Sequence, residues 1–371
     1  MFSKKIQLGL LIFTLAILSS ACSISTSSST KSSAGVDSSI FVSSNSGSTW
    51  KAMTSIPVIS GVPRSIKDIN VNLMTMDPQD SKAVYLASFE TGLFFTYNIS
   101  EGWTFVKTLP AEKINDVKVD PKNKCVIYAA ISNRLYRSKD CARTWSQVYF
   151  DNNAEVSVKT ITIDHYNTQN IYLGTSRGEI IKSIDAGASW RTIQRLEESI
   201  SKLVVSPVDS RLVFVATSKN RIFSFKSNTV TNSDNSADIE GNFLVENWQD
   251  LNDVLRDYNL GNSFRDFELS AKDGIIFMAT EQLILRSRDN GITWENVKLL
   301  QPEKDAIINS LAVNPKDSQN FYYVTNTTFF STSDGGTTWT TKKLPGTRAG
   351  RELLLDFNNP NIIYLGTVKL K

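Results

Sequence analysis

The sequence predicts an all-β fold, a single seven-bladed β-propeller of four-stranded antiparallel blades, and three observations carry that prediction. An octapeptide ending in tryptophan recurs along the chain. A pair of short apolar strands recurs in phase with it. Each end of the chain holds half of such a unit. A fixed period of about 40 to 50 residues decides an architecture before any single motif does.

The octapeptides are SSNSGSTW (Ser43 to Trp50), SKDCARTW (Ser138 to Trp145), SIDAGASW (Ser183 to Trp190), SRDNGITW (Ser287 to Trp294) and TSDGGTTW (Thr332 to Trp339), with NISEGWTF (Asn98 to Phe105) as a degenerate sixth. Their chemistry is local. Asp140, Asp185, Asp289 and Asp334 are expected to accept backbone N–H bonds across a turn. Gly187, Gly291 and Gly336 allow positive φ there, and Trp50, Trp145, Trp190, Trp294 and Trp339 fold against outer strands. These octapeptides resemble the Asp-box, or BNR repeat, of pattern SxDxGxTW. In families that carry it the box sits on the outer rim, so the resemblance implies structural carboxylates rather than catalytic ones.

The second element is an apolar strand, a turn of the Asn-Pro or Asp-Pro type, and a strand rich in Ile, Val and Tyr, as in LAVNPKDSQNFYYVT from Leu311 and VKVDPKNKCVIYAA from Val117. Copies from Ile161 and Leu203, and others near Leu73, Phe267 and Leu353, make seven. Strands of five to seven residues, four to a unit, make propeller blades. The last copy runs out at Lys371 before any octapeptide, and the octapeptide at Ser43 has no strand pair before it. Pairing Ile40 to Ser43 with Ile362 to Gly366 therefore completes one blade and leaves no open edge. The blade begun at Leu203 departs from the pattern. Residues 226–262 form a polar insertion, then a segment with Leu251, Val254, Leu255 and Tyr258 at helical spacing, and Trp248 is expected in place of the octapeptide's tryptophan. It reads as a loop insertion with a short helix packed on the blade, or as a partner-binding flap.

Residues 1–21 carry Lys4 and Lys5, an apolar run from Ile6 to Leu18, and Ser19-Ser20-Ala21 ahead of Cys22, with no acidic residue. That is a signal peptide, and a cysteine after Ala21 resembles the bacterial lipobox, which implies lipidation of Cys22. Serine three places before the cysteine departs from the commonest lipobox. A soluble exported form and an uncleaved anchor are the alternatives, though the run is short for a span. Residues 22–38 are serine-rich and read as a flexible tether reaching about 20 Å. The propeller then occupies 39–371. Removing Lys4 and Lys5 lowers the net charge of +3 to about +1, with no basic stripe, so no nucleic-acid partner is expected.

Cys125 and Cys141 lie on consecutive strands, opposite one another if the hairpin is centred on Asn133. A disulfide there is a hypothesis, since Cys141 sits inside an octapeptide and its Cβ direction is open. His165, the sole histidine, lies where other repeats place a turn proline, so no histidine-based metal or nucleophilic chemistry is supported. No catalytic residue, metal or cofactor is assigned. Sialidases that share the box need an early FRIP-like motif, absent before Ser43. Xyloglucan-cleaving enzymes with the box use two propellers, and this chain has length for one.

Binding remains. Arg64, Arg134, Arg177, Arg221, Arg265, Arg348 and Arg351 fall in loops of one propeller face, interspersed with Glu90, Glu112, Glu179, Glu281 and Glu352. Such a face reads as solvated surface or as a site for an acidic segment of another exported or membrane protein. A single propeller of this kind behind an export signal looks most like the photosystem II stability and assembly factor-like group. That resemblance implies a non-enzymatic scaffold in the cell envelope, lipid-anchored to a bacterial membrane, more strongly than it implies a photosystem. A glycan-binding protein or sialidase-like glycoside hydrolase is the alternative.

Overall fold

The computed structural model describes residues 37–62, 64–227, 247–300 and 307–370. The signal segment, Cys22 and most of the tether lie outside these residues, as does much of the 226–262 insertion.

Seven four-stranded antiparallel sheets form the blades of a β-propeller. Their inner strands are Val71–Asp77, Ile114–Asp120, Val158–Ile163, Ile200–Val205, Phe264–Leu269, Ser310–Val313 and Ala349–Leu355. Second strands such as Ile171–Thr175 (IYLGT) and Ile276–Thr280 (IFMAT) are buried at every position. They are apolar without alternation because a neighbouring blade covers each of their faces. Outer strands such as Arg191–Arg195 and Thr340–Lys343 have one wet face and are mostly polar. The core lies between consecutive blades: Tyr128 and Ala130 of one blade pack with Ile161 and Leu173 of the next. One aromatic residue recurs at the same place in each second strand, namely Tyr85, Tyr128, Tyr172, Phe214, Phe277, Tyr322 and Tyr364, and all seven are buried. A large flat ring fills the wedge between diverging sheets, and its burial contributes about 2 to 3 kcal/mol.

One blade takes strands from both ends of the chain. Ile40 pairs with Gly366, Phe41 with Leu365, Val42 with Tyr364 and Ser43 with Ile363. Lys51–Ala52 forms the outer strand and Ala349–Leu355 the inner one. A two-stranded ribbon outside the blades, Ser55–Ile56 with Arg64–Ser65, was not legible beforehand.

The octapeptide turns share one bonding scheme. The hydroxyl that ends the third strand accepts the N–H four residues on, as Ser183 does from Gly187 at 2.8 Å and Thr332 from Gly336 at 3.0 Å. The carboxylate at the third position accepts the N–H and the hydroxyl of the seventh: Asp289 takes Thr293 at 2.8 and 2.6 Å, and Asp334 takes Thr338 at 2.8 and 2.6 Å. These bonds, that of the Thr144 hydroxyl first, hold Asp140 down to about 2, and those of Thr338 do the same for Asp334. Asn45 reproduces the scheme with an amide, bonding Thr49 N at 2.8 Å and its hydroxyl at 3.0 Å. Two successive residues, not the glycine alone, have positive φ: Ala186 at 56° and Gly187 at 89°, Asn290 at 59° and Gly291 at 88°.

Strand boundaries correct the degenerate copy, whose turn departs from this scheme in that Asn98 accepts Ser100 N at 3.2 Å. Asn98 to Phe105 is two residues out of register. The third strand ends at Thr96, whose hydroxyl accepts Asn98 N at 3.1 Å, and the fourth begins at Thr104. The turn is therefore TYNISEGW, Thr96 to Trp103, and its tryptophan is Trp103, fully buried with its indole donating to Met53 O of the preceding blade at 2.7 Å.

The hairpin holding the two cysteines is also shifted by one. Ile127 faces Ser138 and Tyr128 faces Arg137, which would set Asp140 opposite Cys125. Positive φ at Cys141 (58°) and Ala142 (66°) folds the turn back, so that Cys141 N donates to Cys125 O at 3.1 Å. The two sulfurs are bonded, with Cα atoms 3.9 Å apart.

Beyond the insertion, Asn247–Asp250 is the outer strand, and Trp248 lies against Phe225 at 4.4 Å between this blade and the one before. The expected helix is one 3-10 turn, Val254–Asp257. Leu251 and Leu255 are buried, while Val254 is exposed. Leu251 and Tyr258, on either side of the turn, lie against Gly291 and Trp294 of the next blade.

Candidate functional site: the channel and its mouth

The inner strand of each blade presents an unpaired edge to the central channel, so its N–H and C=O groups need partners. Six of the seven carry a register shift at their second or third residue, which turns one extra residue toward the channel mouth: Asn72, Asn115, Lys159, Ser201, Arg265 and Arg351. Such bulges re-aim side chains. Asn72 donates to Ile114 O at 2.7 Å, Asn115 to Val158 O at 2.9 Å and Asn309 to Gly350 O at 2.8 Å, each in the following blade. The next residue along repeats the device with acceptors. Asp116 takes Ile161 N at 2.8 Å, Asp266 takes Leu311 N at 3.1 Å, and Ser310 takes Leu353 N at 3.2 Å. Much of the channel's polarity is therefore a belt that staples blade to blade. Comparison of the seven inner strands residue by residue would have revealed it, since a polar pair recurs before the apolar run.

Charges beyond the belt fill a cavity of about 580 Å³. Lys202 bridges Asp266 at 2.6 Å and Glu268 at 2.7 Å. Burial lowers the Lys202 pKa, but these two carboxylates outweigh it and hold the ammonium charged. Burial raises Glu268. Burial, followed by Asp266 among the charged neighbours and against the pull of Arg351 and Lys202, pushes Glu352 up to about 8. Lys118 bonds Asp116 at 3.0 Å. At the mouth, Lys113 is lowered by burial first and then by Lys159 and Arg351. Lys113 and Arg351 both lie over the ring of Phe89, 5.3 and 5.5 Å from its centroid, within cation–π range. A second cavity of about 440 Å³ continues outward past Phe89, Glu90, Arg265, Asn326 and Lys369.

Of the seven arginines expected on this face, the structure brings Arg265 and Arg351 together at the mouth. Arg265 pairs with Glu281 at 2.8 Å, Arg351 reaches Asn72 at 3.4 Å, and neither Nε has a hydrogen-bond partner within the protein. Arg177 is held by Asp151 at 3.0 Å and Glu179 at 2.7 Å, and Arg221 by Asp250 at 3.2 Å. Arg134 is exposed beside Tyr136, and Arg64 is exposed on the ribbon. Arg348 does not belong to a binding face. It is 3% exposed, and its guanidinium bonds Thr367 Oγ1, the carbonyls of Lys67, Asp68 and Ile69, and Asn70 Oδ1. A group so short of water needs several acceptors, and those acceptors are the segment that enters the next blade. Glu179 is buried between Arg177 and Arg195. His165 is exposed. No cluster of three or more His, Cys, Asp or Glu that could hold a metal occurs among the described residues.

No family model and no curated protein matches the chain. Among solved structures it is similar to YCF48 bound to D1 peptide, at 16% identity and a TM-score of 0.58, over 81% of this chain and 94% of that one. It is also similar to the GH74 xyloglucanase from Xanthomonas campestris (13% identity, TM-score 0.61) and the GH74 enzyme of Niastella koreensis (14%, 0.60), each over 81% of this chain and 51% of the other. At such identities the likeness shows the seven-bladed fold. The chain spans about half the length of the two GH74 enzymes.

Proposed function

We propose that this protein is a non-enzymatic scaffold that holds an acidic segment of another polypeptide at the channel mouth. The observation that carries the reading is the mouth itself. Lys113 and Arg351 lie over Phe89, and Lys159 and Arg265 line the same cavity, which brings two guanidinium groups to one opening. Bidentate carboxylate contacts suit such groups, and a flat ring under two cations adds an apolar floor. The likeness to YCF48, whose structure holds a D1 peptide, supports a polypeptide as the occupant. In the same reading the chain is exported and acylated at Cys22, and its Asp-box turns are structural.

The test is crosslinking in native membranes followed by affinity purification, wild type against an Arg265→Glu, Arg351→Glu double variant. One dominant protein, lost in the variant, is the expected outcome. Equal recovery from both would remove the mouth from the mechanism.

One observation favours a glycan instead. Asp266, Glu268 and Glu352 line one channel, and carboxylate pairs run glycoside hydrolysis. Against it, Asp266 is committed to backbone N–H groups and Glu268 to Lys202. Hydrolysis of xyloglucan or sialosides by wild type, lost in Glu352→Gln, would reverse the preference.

A further inference from the structure

The ribbon Ser55–Ile56 with Arg64–Ser65 has a rigid base and an apolar tip, and the mouth does not use it. At the base, Trp103 N donates to Ser55 O at 2.8 Å, Ile66 N to Thr54 O at 2.9 Å, and the Ser65 hydroxyl to that of Thr54 at 3.0 Å. Ile66 is buried in the core beside Trp103. At the tip, Ile59 is 108% exposed, Val62 87% and Val58 38%. Gly61, at φ +96°, has open space where a Cβ would point. Among the described residues the other exposed large apolar side chains do not gather three to a five-residue run. From Lys51 to Lys67 there is no acidic residue; Lys67 pairs with Asp68 at 3.1 Å, and Lys51 and Arg64 are the other basic residues of the segment.

We propose that this ribbon is a membrane-dipping finger, its tip of Val58, Ile59 and Val62 entering the headgroup region of an anionic bilayer and Lys51 and Arg64 resting against the lipid phosphates. Three side chains are too few for a stable protein interface, which covers about 800 Å² per partner. They suit a lipid surface, where a small apolar insertion and basic flanks add to one another. The base is already ordered, so insertion fixes little further chain. The inference stands apart from the scaffold reading and from Cys22, since it concerns where one loop sits and not whether the protein is attached.

The experiment reads the tip directly. In the full chain with Cys22→Ser, an Ile59→Cys substitution is labelled under non-reducing conditions with an environment-sensitive fluorophore, leaving the Cys125–Cys141 bond intact. Vesicles of phosphatidylcholine with phosphatidylglycerol are added, with and without a lipid-borne quencher. The label is expected to shift to the blue and be quenched, whereas the same label at Val208→Cys, an exposed apolar position on another blade, stays aqueous. Adding Lys51→Glu and Arg64→Glu should raise the lipid concentration needed by about thirtyfold or more, two basic contacts at about 1 kcal/mol each being lost near an anionic surface. Circular dichroism checks that the variants fold. An aqueous signal at Ile59 with anionic vesicles overturns the proposal. So does an equal shift at Val208, or a shift that follows protein concentration without lipid, which would point to a second copy as the occupant.

Discussion

Glu352 and Arg348 lie four residues apart and face opposite electrostatic problems. The Glu352 carboxyl is half-buried against the channel cavity, and burial first, then Asp266 and Glu268, disfavour its charge, so its pKa stands near 8 against 4.5 when free. The folded state thus holds this proton more tightly than the unfolded chain. The resulting stabilisation is complete below about pH 4.5 and is lost as pH rises through 8. Glu352→Gln removes the loss. Urea unfolding should show wild type falling relative to the variant between pH 5 and 8 by about 2 kcal/mol, less than the full shift implies because channel water screens the charge. Parallel curves would mean that Glu352 is ionised throughout. Arg348 meets the reverse demand, a permanent cation that must find acceptors wherever the fold buries it.

The octapeptide turn is a self-contained element, and its stability rests on the hydroxyl as much as on the carboxylate. Ser183 Oγ accepts Gly187 N at 2.8 Å and donates to Asp185 at 2.8 Å, the carboxylate that in turn orders Ser189. Ser183→Ala leaves the buried N–H of Gly187 unpaired, at a cost of about 1 to 3 kcal/mol. Thr192→Ala, on the exposed outer strand of the same blade, should change stability by less than about 0.5 kcal/mol. Chemical denaturation of the two variants separates a structural turn from a decorative one; equal midpoints would leave the hydroxyl without a role. The end of the third strand sets the first position, which is why Thr96, and not Asn98, begins the copy that ends at Trp103.

At the scale of the whole molecule the seam between the chain ends decides whether the ring holds. Arg348 spans it, bonding Thr367 in the last blade and the Lys67 to Asn70 segment that leads into the first inner strand. Ser38 O accepts from Thr367 Oγ1 at 2.6 Å across the same join. Arg348→Met should cost about 1 to 3 kcal/mol, because the bonds from one buried guanidinium to Thr367, to three carbonyls and to Asn70 are lost together. Arg348→Lys should recover only part, since an ammonium cannot fork to so many acceptors. Limited proteolysis should cut the Arg348→Met protein between Asn45 and Ile66 before any other blade; cleavage spread evenly round the ring would show that the seam is not its weakest join.

The sequence by itself determined the repeat, the blade count, the strand pair at each blade's core and the pairing of residues 40–43 with the end of the chain. Those features follow from the period of the copies along the chain and from unbroken apolar strands within each. It also marked Arg265 and Arg351, as loop residues ahead of or within inner strands. Only the tertiary structure separated them from Arg348, because the burial of a loop residue depends on what the far end of the chain brings against it. The stapling roles of Asn72, Asp116 and Asp266 depended likewise on neighbouring blades, since each bonds a backbone group about 42 to 45 residues away. Turn registers of one or two residues, at Cys141 and at Thr96, were set by positive φ and by a hydroxyl's reach, which composition does not display. The exposure of Ile59 and Val62 was decided last of all, by the ribbon that lifts them clear of every blade.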